Sequence, residues 1–115
     1  MSVSFDGVGQ VCATFLGSGI EEGQAVKVSG WGTAAVCGDG ESFCGAAICC
    51  RDGACTVQVS GFLTLGYTGT APAAGPVKLC GNGQGGVRIA GDKDAVTACL
   101  AVDADSAAKT VTILL

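Results

Sequence analysis

The chain has 115 residues, a length that suits one domain with a core of its own. It contains twenty glycines, eight cysteines and no histidine, and its formal net charge is −4. The six basic residues are scattered singly, which argues against a nucleic-acid-binding protein because such proteins cluster Lys and Arg against phosphates. No stretch approaches the ~18 consecutive apolar residues of a membrane helix, so we expect no membrane association.

The N-terminal segment MSVSFDGVGQ lacks the basic stretch followed by an apolar one that marks a secretory signal. We therefore expect the protein to be made in a reducing cytoplasm, where disulfides are uncommon. Residues 1–9 are predicted to form an N-terminal arm ahead of a single domain over residues 10–115.

Short β-branched runs alternate with Gly, Asp, Asn and Pro, a pattern that predicts an all-β fold. In chain order, strands are expected near 10–16, 25–29, 33–37, 42–51, 55–65, 76–80, 86–90, 95–102 and 109–114. The stretch GYTGTAPAAG at 66–75 is expected to be a connecting loop, because proline disrupts a sheet interior. The pattern predicts a small closed or partly open β-barrel, or a β-tulip.

Two segments of the chain are similar, VKVSGWGTAAVC at 26–37 and VKLCGNGQGGVR at 77–88. Identical pairs are Val26/Val77, Lys27/Lys78, Gly30/Gly81, Gly32/Gly83 and Val36/Val87. We therefore predict an internally duplicated β unit whose similar halves, about 25–65 and 76–114, close into one barrel without exposed edges. A chance match between Val- and Gly-rich segments is the alternative.

The segment CGAAICCRDGACTVQV at 44–59 holds four of the eight cysteines. Asp52-Gly53 favours a two-residue type I′ turn, which places Cys50 directly opposite Cys55. A cross-strand Cys50–Cys55 disulfide is then feasible under oxidising conditions, and buried free thiols are the alternative. A zinc site is disfavoured because the chain has neither histidine nor a C-x2-C pair.

The same register predicts which side chains of this hairpin face the core. It pairs Ile48 with Val57 and gives one apolar face of Cys44, Ala46, Ile48, Cys50, Cys55, Val57 and Val59. Cys49, Thr56 and Gln58 are expected on the opposite face.

The sequence offers no catalytic constellation. Without histidine, the usual general base and nucleophile activator is missing. The paired acids Glu21-Glu22, Asp92/Asp94 and Asp103/Asp105 lie in turn-like segments and are expected to be solvated. The motif GNGQGG at 81–86 precedes a strand-like segment, so it is interpreted as a turn rather than a nucleotide site. We predict no catalytic residue, metal or cofactor, and no enzymatic activity.

The candidate contact residues lie in turns and loops. Trp31, between Gly30 and Gly32, either folds over the barrel mouth as a plug or anchors a contact with another subunit. Tyr67 and Thr68 of the long loop are the next candidates for exposed partner contacts.

Three stretches carry a family resemblance: AVKVSG at 25–30, FCGAAI at 43–48 and CTVQVSGFLTLGYTGTAPAAG at 55–75. Over about residues 10–114 the chain resembles capsid decoration proteins of tailed phages and prophages of gut Firmicutes. The resemblance implies a small β-barrel or β-tulip that binds the major capsid protein lattice and cements neighbouring capsomers. It also implies synthesis in the host cytoplasm and a place on the virion's capsid surface, with the isolated protein either a monomer or a weakly self-associating trimer.

Two other interpretations remain open. One is a phage tail or fibre module, or the subunit of a filament. The other is a small ligand-binding or carbohydrate-binding barrel with Trp31 as a stacking platform.

Overall fold

The computed structural model describes residues 10–115, and the predicted arm over residues 1–9 lies outside the described residues. Residues 10–115 fold into ten β-strands and contain no helix, which confirms the predicted all-β class. The strands are β1 (Val11–Leu16), β2 (Ala25–Gly30), β3 (Thr33–Val36), β4 (Gly45–Arg51), β5 (Ala54–Ser60), β6 (Phe62–Gly66), β7 (Gly75–Gly81), β8 (Val87–Ile89), β9 (Thr97–Asp105) and β10 (Thr110–Leu114).

The first five strands form a closed barrel in the order β1-β3-β2-β4-β5. β1 closes it by running antiparallel to β5 and by a parallel pairing of Leu16 with Thr33 of β3. The predicted small closed barrel is thereby confirmed. Its interior is lined by small and medium apolar side chains, which suit the narrow bore of a barrel with few strands: Ile20, Val26, Ala34, Ala47, Cys55 and Val57.

The last five strands form a second, wholly antiparallel sheet in the order β6-β10-β9-β7-β8. A second apolar core lies between this sheet and the barrel. Its larger members from the sheet are Leu63, Leu65, Leu79, Val111 and Ile113, and the barrel contributes Ala25, Phe43 and Ala46. Barrel and sheet therefore pack together through this second core, which we call the shared core.

The two similar halves predicted to form one barrel are divided between two sheets, and β6, at the end of the first half, joins the second sheet. The barrel takes its strands from residues 11–60, and the second sheet takes its strands from residues 62–114. The physical reason is β1, which pairs on both sides and closes the first sheet without a strand from the second half. Gly61, with a φ of 96°, separates β5 from β6 within the segment expected as one strand.

Candidate contact surfaces

Trp31 lies at the tip of the hairpin formed by β2 and β3. The following Gly32 has a φ of 70°, a conformation that glycine adopts without strain. The Leu16 amide donates a hydrogen bond of 2.9 Å to the Gly32 carbonyl and so ties the tip to the end of β1. The Trp31 side chain is 100% exposed. The indole therefore does not plug the barrel, and it faces solvent from a turn that backbone hydrogen bonds hold in place.

Two further apolar side chains near this tip face solvent. Leu16, whose amide binds the turn, is 63% exposed, and Val28 on the same hairpin is 52% exposed. We call Trp31, Leu16 and Val28 the hairpin patch. Neighbouring exposed apolar side chains mark interaction sites, and tryptophan is prominent among the residues that dominate binding energies.

Tyr67 differs from the expectation of an exposed contact, because its side chain is buried in the shared core. A parallel bridge to Val87 draws the start of the loop against the sheet, and the Tyr67 amide donates to the Lys109 carbonyl at 2.9 Å. Thr68 is exposed, as expected of a loop residue, and its hydroxyl accepts a 3.3 Å hydrogen bond from Asn82 Nδ2. Thr68 thus lies on the loop after β6, whereas the hairpin patch belongs to the barrel.

The β4–β5 hairpin brings Cys50 and Cys55 together. Asp52 and Gly53 have φ values of 54° and 79°, which fit a turn that needs positive φ at both positions. Cys50 pairs with Cys55 in the register of the two strands. The two cysteines are joined by a disulfide, and their Cα atoms are 4.1 Å apart.

The register farther from the turn differs from the prediction. A β-bulge between Ala47 and Cys49 places Ala47, rather than Ile48, opposite Val57. Ala47 is consequently buried in the barrel, and Ile48 is 39% exposed. The extra residue of the bulge reverses the side on which the preceding side chains point.

Gln58 lies on the face of β5 opposite Val57, as predicted, and it is buried there. Its register partner is Ala46, a core residue. The buried amide is satisfied: Nε2 donates to the carbonyls of Ser60 at 3.1 Å and Phe62 at 2.8 Å, and Oε1 accepts from Gln10 Nε2 at 3.1 Å. Burial of this polar group therefore costs little, because each bond to water is replaced.

The six cysteines outside the disulfide differ in exposure. Two are exposed, two are buried and two are partly buried: respectively Cys12 and Cys49, Cys37 and Cys80, and Cys44 and Cys99. Burial raises the pKa of the four less exposed thiols, which disfavours the thiolate that attacks substrates or binds metals. Within residues 10–115, no three or more His, Cys, Asp or Glu side chains are grouped to hold a metal ion.

An ion-pair network joins the barrel to the second sheet. Arg88 of β8 contacts Asp39, which follows β3, through Nε and Oδ1 at 2.9 Å, and Asp94 through Nη1 and Oδ2 at 2.8 Å. The hydrogen bond from Arg88, helped by one from the Gly91 amide, lowers the pKa of the Asp94 carboxyl. Asp94, expected as a solvated turn residue, is therefore a structural partner. Sequence analysis missed this network because Arg88 and Asp39 are separated by 49 positions and meet only through tertiary packing.

The second sheet carries an apolar groove beside its edge strand β8. The groove has a volume of about 490 Å³. It is lined by residues of β7, β8 and β9 and of the adjoining loops: Ala73, Pro76, Val77, Lys78, Ile89, Ala90, Ala98 and Cys99. Ile89 is 45% exposed, although its register partner Leu79 is fully buried. We call this the β8 groove; Lys78 is the charged residue of its described lining.

The outer face of β1, β4 and β5 is nearly free of charge. Arg51, at the β4–β5 turn, is the one charged residue in these three strands. A row of Thr14, Thr56 and Cys49 crosses the strands in register. The exposed side chains around this row are small or apolar: Val11, Cys12, Thr14, Ile48 and Cys49. We call this set the barrel face.

The comparisons with known proteins assign the chain to no family. No protein-family model, no curated protein and no solved structure matches it. Within residues 10–115, the structure has no helix of the length and hydropathy that crossing a membrane requires.

Proposed function

We propose that the chain is a non-enzymatic decoration protein of tailed-phage heads that binds the outer surface of the major capsid protein lattice. The observation that carries the proposal is the barrel face, a broad uncharged surface on a closed barrel. Depletion of charged residues is the compositional mark of the central part of a protein interface. The resemblance to decoration proteins supplies the identity of the partner.

The chemistry of the barrel face suits a large, repetitive partner. Charged residues make up 14% of the chain, against about 25% in typical soluble domains, so the surface offers less hydration to displace on contact. A lattice repeats the same binding site many times, and linked copies of the protein gain avidity from contacts that are individually modest. Self-association as a trimer on the shell would provide such linkage.

The thiol chemistry is compatible with release into an oxidising environment. We expect Cys50 and Cys55 to be reduced while the protein is made in the host cytoplasm and joined after lysis. The particle would then carry the disulfide on an exposed hairpin of the barrel.

The test is binding to heads that lack the protein. Purified protein is mixed with such particles and banded on a density gradient, and we expect co-banding at a fixed, high ratio to the major capsid protein. Thr14→Asp places a charge in the barrel face and should lower occupancy at least about 10-fold, since a buried unpaired charge opposes binding. Thr70→Asp, at an exposed loop threonine, is the matched control and should bind normally.

Two results would contradict the proposal. Wild-type protein that stays at the top of the gradient would exclude a shell component. Equal occupancy by Thr14→Asp and wild-type protein would exclude the barrel face as the lattice contact.

A further inference from the structure

We propose that copies of this chain associate head to tail, with the Trp31 indole of one copy inserted into the β8 groove of the next. The proposal goes beyond lattice binding, because it concerns contacts between copies and holds whether or not a capsid is their partner.

The projecting element is the hairpin patch. The Trp31 side chain is 100% exposed among residues 10–115, so its apolar surface is available for a contact with another molecule. The turn beneath it is held by the 2.9 Å hydrogen bond between the Leu16 amide and the Gly32 carbonyl. A rigid aromatic side chain on an ordered turn loses little conformational freedom on binding, and Leu16 widens the apolar contact around it.

The receiving element is the β8 groove. Its volume of about 490 Å³ lies in the range of ~300–1,000 Å³ that encloses small ligands, so an indole fits within it. Val77, Ile89 and Cys99 provide an apolar lining, and Ile89 remains 45% exposed. Lys78 in the same lining provides an ammonium group suited to the face of an indole.

The proposed occupant of the β8 groove is Trp31 of a second copy of this chain. The projection belongs to the barrel and the groove belongs to the edge of the second sheet, so each copy offers one of each. The two surfaces differ, which makes the contact heterologous: successive copies close into a ring such as a trimer, or continue as a filament. One aromatic side chain buries about 150–250 Å², well below the ~1,200 Å² of a stable complex, so each contact is weak and depends on concentration.

The single tryptophan allows a direct measurement. We expect its fluorescence emission to shift to shorter wavelength with rising concentration of wild-type protein, in step with a rising sedimentation coefficient. Trp31→Ala and Ile89→Asp should each weaken self-association at least about 30-fold, the loss typical of a dominant interface residue. Val96→Asp is the matched control, at an exposed apolar residue outside the hairpin patch, the barrel face and the lining of the groove, and should associate normally.

Mixing the two defective variants distinguishes this arrangement from a symmetric one. Ile89→Asp retains the only tryptophan in the mixture, and Trp31→Ala retains an intact groove. Titration of Trp31→Ala into dilute Ile89→Asp should shift the emission and yield a 1:1 heterodimer that grows no further, although neither variant associates alone. Far-UV circular dichroism checks that both variants are folded.

Three outcomes would overturn the proposal. The first is wild-type protein that stays monomeric, with unshifted emission, at high concentration. The second is association of Ile89→Asp at the wild-type level, which would place Trp31 in a symmetric contact. The third is a mixture of the two variants without a heterodimer. Loss of head binding by Trp31→Ala without any self-association of the wild type would assign Trp31 to the lattice instead. None of these outcomes alters the co-banding result for wild-type protein, so the two proposals fail separately.

Discussion

Removing the Cys50–Cys55 disulfide should destabilise the protein by no more than about 2 kcal/mol. The bond closes a short loop, since the two cysteines are five positions apart. The chain-entropy relation for a loop of about six residues gives roughly 7 cal/mol/K, or about 2 kcal/mol at 25 °C. This is an upper value, because the Asp52-Gly53 turn already holds both ends of the loop close together in the unfolded chain.

Cys50→Ser is the variant of choice, because Cys50 is partly buried whereas Cys55 is in the barrel core. Urea unfolding, followed by circular dichroism, is measured for both proteins with and without reductant. Reduction should lower the free energy of unfolding of the wild type to near that of Cys50→Ser, and it should leave the variant unchanged. A reductant effect of the same size in Cys50→Ser, or a loss well above 2 kcal/mol in the wild type, would refute the assignment of this bond as a short local constraint.

Two further predictions concern packing and charge. Gly45→Ala should destabilise the barrel by about 1–3 kcal/mol, because the added methyl group would overlap the Gln58 carbonyl. Gly66→Ala has room for its methyl group and should change stability by less than about 0.5 kcal/mol; similar urea midpoints for the two variants would contradict this. Arg88 lowers the pKa of Asp94 below its ordinary value of 3.8, so native protein binds fewer protons than the unfolded chain. That contribution to stability is complete above pH 3.8 and is lost as the pH falls through the folded-state pKa. Asp94→Asn should flatten this acid decline, and an unchanged pH profile of the melting temperature would count against the ion pair.

Local features of the fold could be predicted because they depend on neighbouring residues. The nine expected strand positions all fall on observed strands, since β-branched runs and glycine or proline breaks act over a few residues. The opposition of Cys50 and Cys55 likewise follows from the two-residue turn between them. The division of 55–65 into two strands at Gly61 was not predicted, because a single glycine within a strand pattern does not reveal its φ.

Features that depend on distant pairing could not be predicted. The bulge at Ile48 cannot be seen in a strict alternation pattern, which assigns Ile48 to the core. The burial of Gln58 was not predicted either, because it depends on contacts with Gln10 and Phe62 outside the hairpin. The alternation pattern does not specify which strands pair, so it could not show that β1 closes the barrel by itself. The β8 groove also escaped sequence analysis, because it forms only where three strands and their loops meet.

The two similar segments contribute to both surfaces of the proposed contact between copies. Both form hairpins, β2–β3 and β7–β8, in different sheets. Asn82, which aligns with Trp31, fastens the second turn through Oδ1, which accepts from the amides of Gln84 at 2.8 Å and Gly86 at 3.0 Å. The second hairpin therefore contributes groove walls, Val77, Lys78 and Ile89 among them, while the first contributes a free aromatic tip. The two aligned turns thus present different groups: the first projects an aromatic side chain, and the second is closed by its own asparagine. The proposed head-to-tail contact accordingly joins two unlike surfaces.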